Sequence, residues 1–150
     1  MANNLFAKLS KEELSSWLGD GCEYSGAALI VPADKLLAVM GKLKTAEQRD
    51  FSYLADITTV DREDKFTLVY QLYSPERGEK GSIHVALDKQ QPSAVSITAL
   101  WPGADWMERE IFDLMGIQFE GHPYLKRILL EENYSGHPLR KDFQMPPVNN

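Results

Sequence analysis

The chain has 150 residues, enough for one domain with one hydrophobic core. Hydrophobic residues at 43% and charged residues at 25% exclude disorder over the whole length, and a net charge of -6 argues against a nucleic-acid binder, since neutralising phosphates takes a surplus of Lys and Arg. Cys22 is the single cysteine, which excludes an intrachain disulfide and any cysteine-based zinc or iron–sulfur site and reads as an inert thiol in a reducing compartment. The start, Met1-Ala2-Asn3-Asn4, lacks the basic and apolar parts of a signal peptide, and no apolar run approaches the roughly 20 residues of a bilayer span. The expectation is a cytoplasmic protein that meets a membrane only through a partner.

Leu5, Leu9, Leu14, Trp17 and Leu18 recur at helical spacing, with Ser10, Glu12 and Glu13 marking a start or break and Gly19 and Gly21 the end. Residues 23–31 read as one strand, because Ala27-Ala28-Leu29-Ile30-Val31 is short, apolar and bounded by turn residues. Pro32 suits a first helical position, and Leu36, Leu37, Val39, Met40 and Leu43 predict a second helix ending near Lys44. Strands follow at 51–60, 66–73 and 82–87, separated by polar turns at 61–64 and 76–81, with a fourth expected at 95–100. Connections this short favour antiparallel neighbours. The fold class is therefore α+β: two layers, a mixed and mostly antiparallel sheet, helices on one face and an extended C-terminal arm. The expected organisation is an α+β domain over 1–120 and, over 121–150, an arm for contacts with other subunits.

After Trp101-Pro102 the pattern changes. Asp105 suits a helix N-cap, with Glu108 where a capping box places its carboxylate. Met107, Ile111, Leu114 and Met115 then form an apolar stripe, and Gly116 is placed to stop the helix. Beyond it one phrase occurs twice. Gly121-His122-Pro123 is followed by Leu125-Lys126-Arg127, and Gly136-His137-Pro138 by Leu139-Arg140-Lys141-Asp142. The prolines exclude regular structure here apart from one turn around 125–130, and residues 144–150 read as extended or frayed.

His122 and His137, with Glu108, Glu110 or Asp142 as further ligands, invite a metal-dependent enzyme. Their spacing fits no helical pair of ligands, however, and a residue before Pro is held extended. The stronger reading is two backbone bends whose histidines hydrogen-bond nearby groups. Glu108, Arg109, Glu110 and Asp113 read as a charged helix face, either solvated with an Arg109–Asp113 pair or clamped by another subunit. Glu108 and Glu110, two apart, point in different directions and make a poor acid/base pair. The basic pairs Lys126-Arg127 and Arg140-Lys141, interleaved with leucines, suit an arm that orders on a partner.

The run 106–117, Trp-Met-Glu-Arg-Glu-Ile-Phe-Asp-Leu-Met-Gly-Ile, together with Gly121-His122-Pro123, Arg127-Ile128-Leu129 and the string from Gly136 to Asp142, closely resembles the C-subunit family of NADH:quinone oxidoreductase, respiratory complex I. The match is dense over about forty residues and looser, by element order, before them. Met115 and Lys126 stand where Phe and Arg are commoner. Related subunits of membrane-bound hydrogenases and photosynthetic complex I share these strings. The resemblance implies a non-catalytic peripheral-arm subunit on the cytoplasmic side of the membrane. It would carry no cofactor, the complex holding FMN, iron–sulfur clusters and quinone on other subunits. It would support assembly and pack against the quinone-site subunit through Glu108, Arg109, Glu110, Asp113, His122, Arg127, His137, Arg140, Lys141 and Asp142. The alternative is the same role in a membrane-bound hydrogenase or ferredoxin-fed complex.

Overall fold

The computed structural model describes residues 3–46 and 50–147. Strand β1 (Asn3–Asn4) leads into a 3-10 turn, Leu5–Lys8, that buries Leu5 and Phe6. The predicted first helix is thus split, and α1 covers only Lys11–Leu18. Its start is a capping box: the Glu13 N–H donates to Ser10 Oγ at 3.1 Å and the Ser10 N–H to Glu13 Oε2 at 2.8 Å. The strand expected at 23–31 is a small hairpin instead, β2 (Glu23–Tyr24) and β3 (Leu29–Ile30). The cause is local, because Ser25 N–H donates to Ala28 O at 2.9 Å and its side chain shares the same turn. After a 3-10 turn at Ala33–Lys35, α2 (Leu36–Thr45) buries Leu36, Val39, Met40 and Leu43 of the residues that predict it and leaves Leu37 exposed.

Strands β4 (Tyr53–Asp61), β5 (Lys65–Ser74) and β6 (Glu79–Asp88) form an antiparallel meander. Alternation places Phe66, Leu68, Tyr70 and Leu72 of β5 on one face, opposite Leu87, Val85, Ile83 and Gly81 of β6, and all eight are buried. Gly81 is small for a reason: a Cβ there would lie 2.9 Å from the Phe6 ring, which stacks on Phe51 at 6.1 Å in the space left open. β3 and β1 both pair with β6 in parallel, so the six-stranded sheet is mixed, with the order β2-β3-β6-β5-β4 and β4 at an edge. The helices contribute to the single core over this sheet.

The fourth strand expected at 95–100 is shorter and lies elsewhere. β7 (Ser93–Val95) pairs in parallel with β8 (Gln118–Glu120), and α3 (Ala104–Met115) is the crossover between them. Residues 97–101 turn instead, with Leu100 and Trp101 N–H both donating to Ile97 O at 3.0 Å. Residues 121–147 contain no helix or strand, and residues 148–150 of the expected frayed tail lie outside the described residues. Among the described residues no helix is long and apolar enough to cross a membrane.

Candidate functional site

The two Gly-His-Pro phrases and the charged helix face meet around α3. Ile111 and Met115 are buried as the stripe predicts, and Gly116 closes the helix in the left-handed region, φ 72°. The expected cap is corrected: the helix begins at Ala104, one residue before Asp105, and its N-cap is Gly103 without a side-chain bond.

Glu108 does not serve a capping box or a surface. It is fully buried, with Oε1 accepting from Ile97 N–H at 2.8 Å and Oε2 from Ser96 Oγ at 2.7 Å. Its carboxylate therefore fixes the turn that ends β7. Burial pushes its pKa above the ordinary glutamate range, and the two donated hydrogen bonds offset that only in part. Asp113 is also fully buried. Its Oδ2 accepts the backbone N–H groups of Ile128, Leu129 and Leu130 at 3.1, 2.7 and 3.0 Å, and its Oδ1 takes Arg127 Nη1 at 3.0 Å. Burial alone would raise this carboxyl, but the three N–H groups and the guanidinium together hold it below the usual aspartate range. Arg127 donates in addition to the carbonyls of Asp113, Tyr134 and Gly136, so one side chain ties the helix to two further points of the C-terminal segment. The expectation that Glu108 and Asp113 lie on a charged surface is therefore corrected. Neither has exposed surface for a partner to touch, and the i,i+4 pair of Asp113 with Arg109 is replaced by Arg127.

The two histidines bracket the helix. At its N-terminal end His122 Nδ1 accepts from Tyr124 N–H at 2.9 Å, which places the proton on Nε2, 3.2 Å from Asp105 O and 3.0 Å from Asp105 Oδ1. At the C-terminal end His137 Nδ1 lies 2.9 Å from Asp113 O, a group that only accepts, so there the proton sits on Nδ1. The second phrase then completes the helix terminus. The last four helical carbonyls are all satisfied: Phe112 by Gly116 N–H, Asp113 by His137 and Arg127, Leu114 by Leu139 N–H, and Met115 by Arg140 Nε at 2.6 Å. Arg140 also brings a positive charge to the negative end of the helix dipole and stacks 5.2 Å from the Phe66 ring. A Cβ on Gly116 would meet the His137 ring at 2.6 Å and Arg140 Nη2 at 2.7 Å, so glycine is required by space as well as by φ.

One more anchor ties this segment to the sheet. Lys141 N–H donates at 2.9 Å to Oδ2 of Asp61, whose Oδ1 binds Lys89 Nζ at 2.6 Å. Asp61 opens the sequence's polar 61–64 turn and gave no sign of this role. Burial disfavours its charge, but Lys89 and the Lys141 N–H outweigh that and hold the carboxyl low. The arm is thus corrected in one respect: it lacks regular structure, yet it is laid on its own domain rather than kept open until a partner orders it. Arg109 joins in through Nε and Nη2, which donate to Lys126 O and Arg127 O. Glu110 and Asp142 are exposed and make no ion pair or hydrogen bond among the described residues.

A catalytic or metal-binding reading finds little support in this geometry. His122 and His137 sit at opposite ends of α3, His122 with both ring nitrogens and His137 with Nδ1 engaged by main chain, and among the described residues no three His, Cys, Asp or Glu side chains converge as ligands. A groove of about 550 Å³ opens between β4 and α3, lined by Ile57, Thr59, Met107, Glu110, Ile111 and Leu139 among others, with no histidine, cysteine or serine in its walls.

Residues 29–148 match the family described as "Respiratory-chain NADH dehydrogenase, 30 Kd subunit". The chain belongs to that family. The C subunit of NADH-quinone oxidoreductase from Moorella thermoacetica is 52% identical over 120 residues, covering 79% of this chain and 80% of the relative. The C subunit from Sinorhizobium medicae is 40% identical over 85% of this chain, which spans 64% of that relative's length. Among solved structures, an Nqo5 trypsin-resistant fragment shares the fold with a TM-score of 0.61 and 28% identity, over 77% of this chain and 98% of that one. A chain of the membrane-bound sulfane sulfur reductase, an archaeal respiratory membrane complex, superposes with a TM-score of 0.70 and 26% identity, over 90% of this chain and 85% of that one. The region shared with these NADH dehydrogenase subunits takes in all of α3 and the segment that braces it.

Proposed function

We propose that this chain is a non-catalytic peripheral subunit of an NADH:quinone oxidoreductase, on the cytoplasmic side of the membrane, where it supports assembly and packs against the quinone-site subunit. FMN, iron–sulfur clusters and quinone would be held by other subunits. The observation that carries this reading is the bracing of α3. The buried carboxylate of Asp113 and both histidines hold one irregular segment in a fixed shape against the helix, which is the work of a scaffold presenting a rigid surface. The names of the relatives supply the assembly in which such a surface is used.

Arg140→Glu tests it. The substitution turns a favourable charge at the helix C-terminus into an unfavourable one, and the expected result is loss of the chain from the complex with unchanged reduction potentials in whatever assembles. Normal assembly together with normal quinone reductase activity would sink the proposal. A second reading keeps the structural role but places it in a hydrogenase-like or ferredoxin-fed membrane complex, and the likeness to the archaeal respiratory complex favours giving it a test. Identifying the proteins that co-purify with the tagged chain separates the two by the presence of a flavin-bearing NADH-oxidising subunit.

A further inference from the structure

The outer side of α3 carries a surface that the bracing does not explain. Trp106 is 62% exposed and Tyr124 is 55% exposed. Between them stands Arg109, its guanidinium carbon 5.3 Å from the Trp106 ring centre and 5.2 Å from that of Tyr124. Lys126 Nζ lies 5.0 Å over the same Tyr124 ring. Trp, cation, Tyr and cation therefore form one ladder along the helix and the segment beside it. Arg109 is fixed by its bonds to Lys126 O and Arg127 O, so the two aromatic rings are held in place by a side chain that is itself held. Such rings lose little conformational freedom when covered. Trp, Tyr and Arg are also the residue types in which interface binding energy concentrates.

Charge decides what covers the ladder. Neither Arg109 nor Lys126 makes an ion pair with a carboxylate among the described residues, so the two cations of the ladder leave their charge open to a partner. Asp105, one turn before Arg109 in the helix, faces His122 instead. The ladder is thus a positive site without its anion, on a chain whose net charge is -6. That overall field repels an extended polyanion such as nucleic acid or an anionic membrane, whose binding depends on many simultaneous contacts. A single carboxylate on a protein surface is different, because within about one Debye length, roughly 8–10 Å, it feels mainly the local cations. We infer that Trp106, Arg109, Tyr124 and Lys126 form a docking surface for a segment of a neighbouring polypeptide in the oxidoreductase, with apolar side chains over the rings and a single carboxylate at Lys126. This rests on the subunit reading above and adds the surface and the chemistry of the partner.

Lysine acylation and zero-length cross-linking of the purified complex and of the isolated full chain test it. In the complex, Lys126 is expected to be protected from acetylation by about tenfold or more relative to the isolated chain, a shift of the size a buried interface residue gives. Carbodiimide is expected to join its Nζ to an Asp or Glu of another polypeptide, and Trp106→Ala to weaken both signals without detaching residues 127–140. Lys126 acylated equally in both states, or cross-linked only to acidic residues of its own chain, would overturn the surface. Protection of the isolated chain's Lys126 by vesicles of phosphatidylcholine and phosphatidylglycerol, with no cross-link in the complex, would overturn the protein partner in favour of a lipid. A chain that co-purifies with no oxidoreductase subunit at all would instead overturn the subunit reading itself.

Discussion

The two ends of α3 solve the same problem, a buried carboxylate, in opposite ways. Glu108, in the first half, accepts two neutral hydrogen bonds and has no cation hydrogen-bonded to it, so its charge is disfavoured. Asp113, in the last turn, accepts three backbone N–H groups and an Arg, so its charge is favoured. The histidines repeat the contrast. His122 acts on the first turn with its proton on Nε2, and His137 on the last carbonyls with its proton on Nδ1. One tripeptide thus uses different ring nitrogens at the two ends, Nε2 of His122 donating to Asp105 and Nδ1 of His137 to Asp113 O. The C-terminal end is the ionic, tightly specified joint, and the N-terminal end is the softer one.

That contrast can be broken most sharply at Arg127. Arg127→Met strands the Asp113 charge in the core and frees two main-chain carbonyls, and urea unfolding should show a loss of about 3–5 kcal/mol. A loss below about 1 kcal/mol would mean that the three N–H donors suffice alone. Gly116→Ala should follow, at roughly 2 kcal/mol or more, from a left-handed φ and a collision with the His137 ring. Its signature is a shift of the His137 imidazole resonances in NMR, while those of His122 stay in place.

Acid and base separate the ends more finely. Asp113 is held below the ordinary aspartate value of 3.8, so its contribution is present above that pH and lost as the pH falls through the lowered folded value. Glu108 is raised above 4.5, so its contribution is full below that pH and fades as the pH rises through the raised folded value. Stability curves against pH should therefore lose part of their acid limb in Asp113→Asn and part of their decline above 4.5 in Glu108→Gln. Identical curves for the two variants would erase the distinction. The smallest effect belongs to Glu108→Gln near neutral pH, within about 1 kcal/mol, because an amide can accept from Ile97 N–H and donate to Ser96 Oγ, which already lies beside Thr98 Oγ1.

The sequence announced the α+β class, α2, the central meander and the apolar stripe of α3, because each rests on local periodicity. It located the region of the site through its doubled phrase. It did not announce the seats of Glu108 and Asp113. A carboxylate placed between polar neighbours on a helix looks solvated, and the donors that bury Asp113 come from 14 to 17 residues further on. The strand expected at 95–100 failed for a related reason: of its apolar residues only Ile97 is buried, and the chain turns through backbone hydrogen bonds onto Ile97 that periodicity does not register. Trp106 and Tyr124 were passed over because aromatic residues beside an apolar stripe read as core. Only exposure in the fold singles them out.

The position of Arg127 and its neighbours also bears on how the chain is made. Synthesis runs from N- to C-terminus, so α3 is complete before any group that satisfies Asp113 exists. Until residues 127–140 emerge, the last turn of the helix has a charge to bury and carbonyls to fill, and no means of doing either. A nascent chain that ends short of this segment therefore holds a domain that is nearly finished but unlocked at one joint, exposed to premature pairing or proteolysis. Residues 127–140 act as a latch, since a chain made only as far as α3 lacks the groups that close this joint.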